Sequence, residues 1–129
     1  MNNTGKIEKE IKDFHENIER WFQGKAENQE NLYSRLLSGF SPDFKMLNGN
    51  GDIVTLSMLA EWLPSAYGKF PDRKINLDNI EILHSENHGL ATYTEIQITE
   101  ATSTKRKSSA LFLLDEEKAL WFHLIEKWI

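Results

Sequence analysis

Residues 106–129 read RKSSALFLLDEEKALWFHLIEKWI. Apolar residues dominate both halves, and Asp115-Glu116-Glu117-Lys118 separates them. Strand-forming runs on either side of a short polar connection are the signature of an antiparallel hairpin. Pairing Leu114 with Ala119 sets Phe112 opposite Trp121 and Ala110 opposite His123. Side chains alternate along a strand, so one face then carries Arg106, Ser108, Ala110, Phe112, Trp121, His123 and Ile125. The other carries Leu111, Leu113, Leu120, Phe122, Leu124, Glu126 and Trp128. This second face is almost wholly apolar and is the one expected to pack on helices.

Two more strand patterns precede the hairpin. Lys74–His84 alternates with a break near Asn79, and Leu90–Ile98 alternates cleanly after a turn at Asn87-His88-Gly89. Thr99–Lys105 reads as a polar loop. The N-terminal half is mostly helical in period. Ile7, Ile11, Phe14, Ile18 and Trp21/Phe22 form one stripe, with Thr4 as a candidate cap and Gly24 as the stop. Ala26–Ser38 is a shorter helix ended by Gly39 and Ser41-Pro42. Asp43–Leu47 and Asp52–Leu56 are short extended runs around Asn48-Gly49-Asn50-Gly51, whose Asn-Gly pairs suit a tight hairpin. Ser57 can cap a third helix carrying Leu59, Trp62, Leu63, Ala66 and Tyr67, with Pro64 inside it. The order helix, helix, strand, strand, helix, then four strands predicts an α+β fold. No repeat or linker interrupts it, so residues 1–129 read as one domain.

Composition narrows the function classes. The chain has 129 residues, a net charge of −5 and no Cys. Disulfides, thiolate nucleophiles and Cys-ligated metal centres are excluded. Lys105-Arg106-Lys107 is the one basic cluster, so nucleic acid is not an expected partner. No apolar run approaches the roughly 18 residues of a membrane span, and the first residues lack a signal-peptide pattern. The expectation is a soluble cytoplasmic protein. His84, Glu86 and His88 follow no trusted metal-ligand spacing, and the usual serine-hydrolase, phosphate-loop and dinucleotide motifs are missing. No metal or cofactor is expected.

Three runs carry a resemblance: Phe40-Ser41-Pro42-Asp43-Phe44, Tyr93-Thr94-Glu95-Ile96-Gln97, and Trp121-Phe122-His123-Leu124-Ile125-Glu126-Lys127-Trp128. With the element order, they resemble the nuclear transport factor 2-like superfamily, also called cystatin-like or SnoaL-like, and an uncharacterised bacterial group within it. The resemblance implies a curved antiparallel sheet wrapped around helices as a cone, often with a pocket inside. It also implies homodimerisation through the sheet. Members include isomerases, cyclases, dehydratases, hydrolases and non-catalytic modules, so the fold does not choose a function.

A candidate site follows from strand register. Pairing Ile98 with Lys107 puts Glu95 beside Ala110 and creates a row of Glu95, Ala110 and His123. The outer two backbones would stand roughly 10 Å apart. Tyr93 and Gln97 share that face. The favoured reading is a pocket for a small, partly apolar ligand. Its polar residues are Tyr93, Glu95, Gln97 and His123, and its walls are Phe44, Trp62, Tyr67, Phe112 and Trp121. One alternative is a proton-transfer enzyme of isomerase or dehydratase type, with Glu95 or His123 as base and Tyr93 donating to an oxyanion. Another is a non-catalytic dimerisation module, in which the row fixes the sheet or an interface. His15 is expected on the wet side of the first helix, and Glu126 is expected to pair with Lys107.

Overall fold

The computed structural model describes residues 2–129. Its elements are α1 (Asn3–Gln23), α2 (Gln29–Ser38), β1 (Phe40–Leu47), β2 (Ile53–Thr55), α3 (Leu56–Ala66), β3 (Lys74–His84), β4 (His88–Thr99), β5 (Thr102–Leu114) and β6 (Ala119–Trp128). The order is the expected one. The helix caps differ from expectation in detail. Asn2, rather than Thr4, caps α1 by accepting from the Gly5 N–H at 2.8 Å. Thr55, rather than Ser57, caps α3, and α2 starts behind Asn28 instead of at Ala26. Gly24 ends α1 at φ 72°, a left-handed conformation that glycine adopts without steric penalty. Pro64 lies inside α3 and removes the N–H that would bond Ala60. The Tyr33 hydroxyl donates to the Ala60 carbonyl at 2.9 Å instead.

The six strands form one sheet in the order β2-β1-β6-β5-β4-β3. Neighbours are antiparallel except β1 and β6, which run parallel. Asn79 has φ 54° and marks the irregularity in β3, where the register breaks between Asp78 and Glu81.

Two registers depart from expectation. Thr99 pairs with Thr102 around a tight Glu100-Ala101 turn, so most of the expected polar loop is strand. Glu95 therefore lies opposite Arg106, not Ala110. The displacement is an even number of residues, so Glu95, Tyr93 and Gln97 keep their face. In the last hairpin, Leu114 pairs with Ala119 and Phe112 with Trp121, as expected. Phe122 is then an extra residue, and Leu111 pairs with His123 and Ala110 with Leu124. A bulge of one residue reverses which side chains point inward. Leu124 and Glu126 share the face of Ala110 and Ser108, while His123 and Ile125 share the opposite face.

The helix-packed face is also the reverse of the expected one. Ala91, Tyr93, Ala110, Phe112, Leu114 and Trp121 are buried with Ile7 and Ile11 in the main core. Leu111, Leu113 and Leu120 point away from the helices. Small residues explain the choice. A Cβ at Gly89 would lie 2.3 Å from Ile7 Cδ1, so α1 packs directly on the sheet at Gly89, and Ile7 and Ile11 share the core with the small Ala91 and Ala110 of the same face. A face that looks less apolar in sequence is the one a helix can approach closely. A second cluster, around Trp21, Phe22, Leu36 and Leu63, joins the helices to one another. Among the described residues, no helix is long and apolar enough to cross a membrane.

Candidate functional site

Between the sheet and the helices lies a cavity of about 160 Å³. Phe14, Ile18 and Phe22 line it from α1, Phe40, Phe44 and Met46 from β1, Leu59 and Trp62 from α3, and Trp121 and Leu124 from β6. The polar lining is His15, Tyr93, Glu95, Gln97, Arg106 and Glu126. Trp62 is half exposed, while Tyr93 and Trp121 are almost wholly buried.

His15, not His123, is the imidazole beside Glu95. Its Nε2 lies 3.0 Å from Glu95 Oε1, and its Nδ1 lies 2.7 Å from the Ile11 carbonyl oxygen. Both partners are acceptors, and only an imidazolium donates from both ring nitrogens. Gln97 Nε2 donates to the other carboxylate oxygen at 2.6 Å. Burial would raise the Glu95 carboxyl, but the His15 hydrogen bond and charge, Gln97 and Arg106 outweigh it and hold the carboxyl at about 2. The pair is a buried, fully hydrogen-bonded ionic contact. Sequence polarity hid it, because a histidine among Asp, Glu and Asn reads as solvent-facing. The spacing contained the signal: His15 follows Ile11 by four and precedes Ile18 by three, which puts it on the buried stripe.

Arg106 and Glu126 form the second ionic contact, with Nη1 to Oε1 at 3.3 Å. The expected partner, Lys107, lies opposite Lys127 on the other face, because the bulge turns Glu126 inward. The Arg106 guanidinium also sits 4.6 Å above the Trp128 ring. Burial pushes the Glu126 carboxyl up, opposed by the Arg106 charge and reinforced by Glu95. Tyr93 Oη, Ser108 Oγ and Arg106 Nε are buried without a hydrogen-bond partner. Ser108 is the register partner of Tyr93, and the two hydroxyls lie close enough for Ser108 to act on the Tyr93 hydroxyl, though outside full hydrogen-bonding geometry. Burial, followed by the Glu95 and Glu126 charges, pushes the Tyr93 hydroxyl well above its ordinary value, against the opposing Ser108 hydroxyl and Arg106 charge. Tyr93 therefore keeps its hydrogen and can donate a hydrogen bond at neutral pH.

Of the residues expected to build a pocket, Tyr93, Glu95, Gln97, Phe44, Trp62 and Trp121 come together around the cavity. His123 does not: the Phe122 bulge turns it to the outer face, opposite Leu111. Tyr67 belongs to the helical cluster, its ring 4.7 Å from Trp21 and its hydroxyl accepting from the Ala26 N–H at 3.2 Å. Phe112 is wholly buried against Trp121, at 4.6 Å between ring centroids, and forms core instead of wall. His84, Glu86 and His88 are exposed at the β3–β4 turn. Among the described residues, no three His, Asp or Glu side chains are grouped to hold a metal.

No protein-family model matches the sequence, and none of the curated proteins does. Solved structures do. A nuclear transport factor 2-like protein of unknown function from Pseudomonas aeruginosa is 27% identical, with a TM-score of 0.88 over 95% of this chain and 98% of that one. An uncharacterised protein with a cystatin-like fold from Caulobacter vibrioides is 18% identical, with a TM-score of 0.71 over 98% of this chain and 89% of that one. A nuclear transport factor 2-like protein from Cytophaga hutchinsonii is 15% identical, with a TM-score of 0.71 over the whole of both chains. The chain has the nuclear transport factor 2-like, or cystatin-like, fold.

Proposed function

We propose that this chain is a small-molecule-binding domain whose ligand occupies the cavity between sheet and helices. One observation carries the reading: a cavity of about 160 Å³ walled by aromatic rings, with its polar side chains gathered at the sheet. Ligand sites have this composition, an apolar concavity with a few polar groups that fix orientation. The proton-transfer alternative is the less favoured reading of this geometry. A carboxylate held at about 2 and bonded on both oxygens is a weak base at neutral pH, and His123 is outside the cavity.

A native mass spectrum of gently purified protein tests the binding reading. Added mass that disappears in Leu59→Trp, a variant that fills the cavity, is the expected result. Bound mass unaffected by a folded Leu59→Trp variant would refute it.

A second proposal concerns the outer sheet face. Leu83 is 72% exposed, Leu90 41% and Ile125 44%, and the half-buried Leu111, Leu113 and Leu120 lie between them. A contiguous apolar surface of this kind marks an association site. We propose that a second copy of the chain covers it. Analytical ultracentrifugation should give a wild-type dimer at micromolar concentration and a Leu113→Glu monomer. A wild-type monomer at that concentration excludes the dimer.

A further inference from the structure

We infer that the occupant of the cavity carries a carboxylate on a compact apolar body of about the size of one ring. This rests on the cavity being a binding site and adds the chemistry of what it binds.

Donors without acceptors set the polarity. Tyr93 Oη, Ser108 Oγ and Arg106 Nε are all buried and unpartnered, and all can donate. Tyr93 is 2% exposed and lines the cavity. Buried donors left unmade are costly, so a cavity lined by two of them, Tyr93 and Arg106, is shaped for a group that accepts. Tyr93 and Ser108 are register partners, and turning toward one another would leave Arg106 Nε–H still in need of an acceptor. Tyr93 and Arg106 are diagonal neighbours across β4 and β5, a separation of about 7–8 Å between backbones that long side chains can bridge. One head group with two acceptor oxygens can therefore reach both, one oxygen for each donor.

The charge balance favours an anion over a neutral acceptor. His15 and Glu95 neutralise one another, and Gln97 occupies the remaining Glu95 oxygen. Arg106 and Glu126 share one contact of 3.3 Å, which leaves most of the guanidinium edge uncommitted. Arg73 adds a further cation. Its guanidinium lies 4.9 Å from the Phe22 ring, a cavity wall, and Nε donates to Thr99 at 3.0 Å. Burial and then the Arg106 charge lower its proton affinity, so the two arginines feel one another. The balance is three cationic groups against two carboxylates; Arg73 stacks on Phe70 outside the cavity lining, close enough for the Arg106 and Glu95 charges to act on it. A ligand carboxylate restores neutrality.

The apolar end sets the size. An apolar cavity of about 150 Å³ accommodates benzene. At about 160 Å³, this one has room for a ring with a short polar extension. Phe14, Phe22, Phe40, Phe44 and Trp62 offer it edge and face contacts.

The test compares benzoate, benzyl alcohol and toluene by protein-observed NMR, following the indole N–H resonances of Trp62 and Trp121. Benzoate should bind about tenfold or more tightly than benzyl alcohol, since charge-assisted hydrogen bonds are about twice as strong as neutral ones. Tyr93→Phe should weaken benzoate by about threefold to tenfold and leave toluene unchanged. Arg106→Gln should abolish the preference. Because that variant also deprives Glu126 of its partner, Tyr93→Phe supplies the milder test. Benzyl alcohol binding as well as benzoate would overturn the carboxylate inference and leave the pocket standing. So would benzoate binding that both variants leave intact. Silence of both indole resonances toward all three probes would remove the pocket reading itself.

Discussion

Replacing His15 with Leu should be among the most destabilising single changes in this protein. The imidazole lies 3.0 Å from Glu95 Oε1, and the two side chains are 6% and 7% exposed. Removing it strands a carboxylate in the core. Two routes give the magnitude. The Glu95 carboxyl sits at about 2, against an ordinary 4.5. At about 1.4 kcal/mol per unit, that difference corresponds to about 3 kcal/mol favouring the ionised form in the folded protein. Independently, removing one partner of a buried ion pair destabilises by about 3–5 kcal/mol. The first figure is the net of His15, Gln97 and Arg106 against burial, so the ion-pair range sets the working figure for His15, about 3 kcal/mol. The sign with pH follows from a depressed folded value. The stabilisation is present above the unfolded carboxyl value and is lost as pH falls toward the folded one. Urea unfolding at neutral pH, followed by tryptophan fluorescence, reads the effect directly. The double variant His15→Leu/Glu95→Leu should recover most of the loss, because apolar residues can replace a buried pair with little penalty. A His15→Leu cost below about 1 kcal/mol, or a double variant whose cost equals the sum of the singles, would refute the reasoning.

Glu10 should give a pH dependence of the opposite sign. Burial raises its carboxyl to about 7, against the opposing hydrogen bond from Trp121 Nε1 at 2.9 Å. Its contribution is fully present below the unfolded value and is lost as pH rises through about 7, by up to about 3 kcal/mol. Urea midpoints on either side of neutrality should show this fall, and Glu10→Gln should flatten it. Gly89→Ala should cost about 1–3 kcal/mol through overpacking against Ile7, and the cost should shrink in an Ile7→Ala background, measured by a double-mutant cycle. Tyr33→Phe should cost about 1 kcal/mol in thermal or urea unfolding, because the Ala60 carbonyl beside Pro64 loses its donor.

Much of the fold was legible from local pattern. The α1 stripe, the Gly24 stop, the β3 irregularity at Asn79 and the Leu114–Ala119 pairing all follow from spacing and turn chemistry. Face assignment was less legible. Parity survived the four-residue displacement of Glu95, because an even shift preserves the face. It did not survive the Phe122 bulge, which exchanged His123 for Leu124 and Glu126 on the inner face. Nothing local in Leu120-Trp121-Phe122-His123 announces an extra residue.

The sequence by itself determined the α+β order, the stripe that α1 buries, and the shared face of Tyr93, Glu95 and Gln97. Those depend on periodicity, a property of neighbouring residues. Only the tertiary structure decided that His15 is the partner of Glu95, that Arg106 pairs with Glu126, and that the Ala- and Ser-containing face carries the helices. These contacts join residues from distant parts of the chain. They depend on how closely α1 can approach the sheet, which small side chains permit and hydrophobicity alone does not encode.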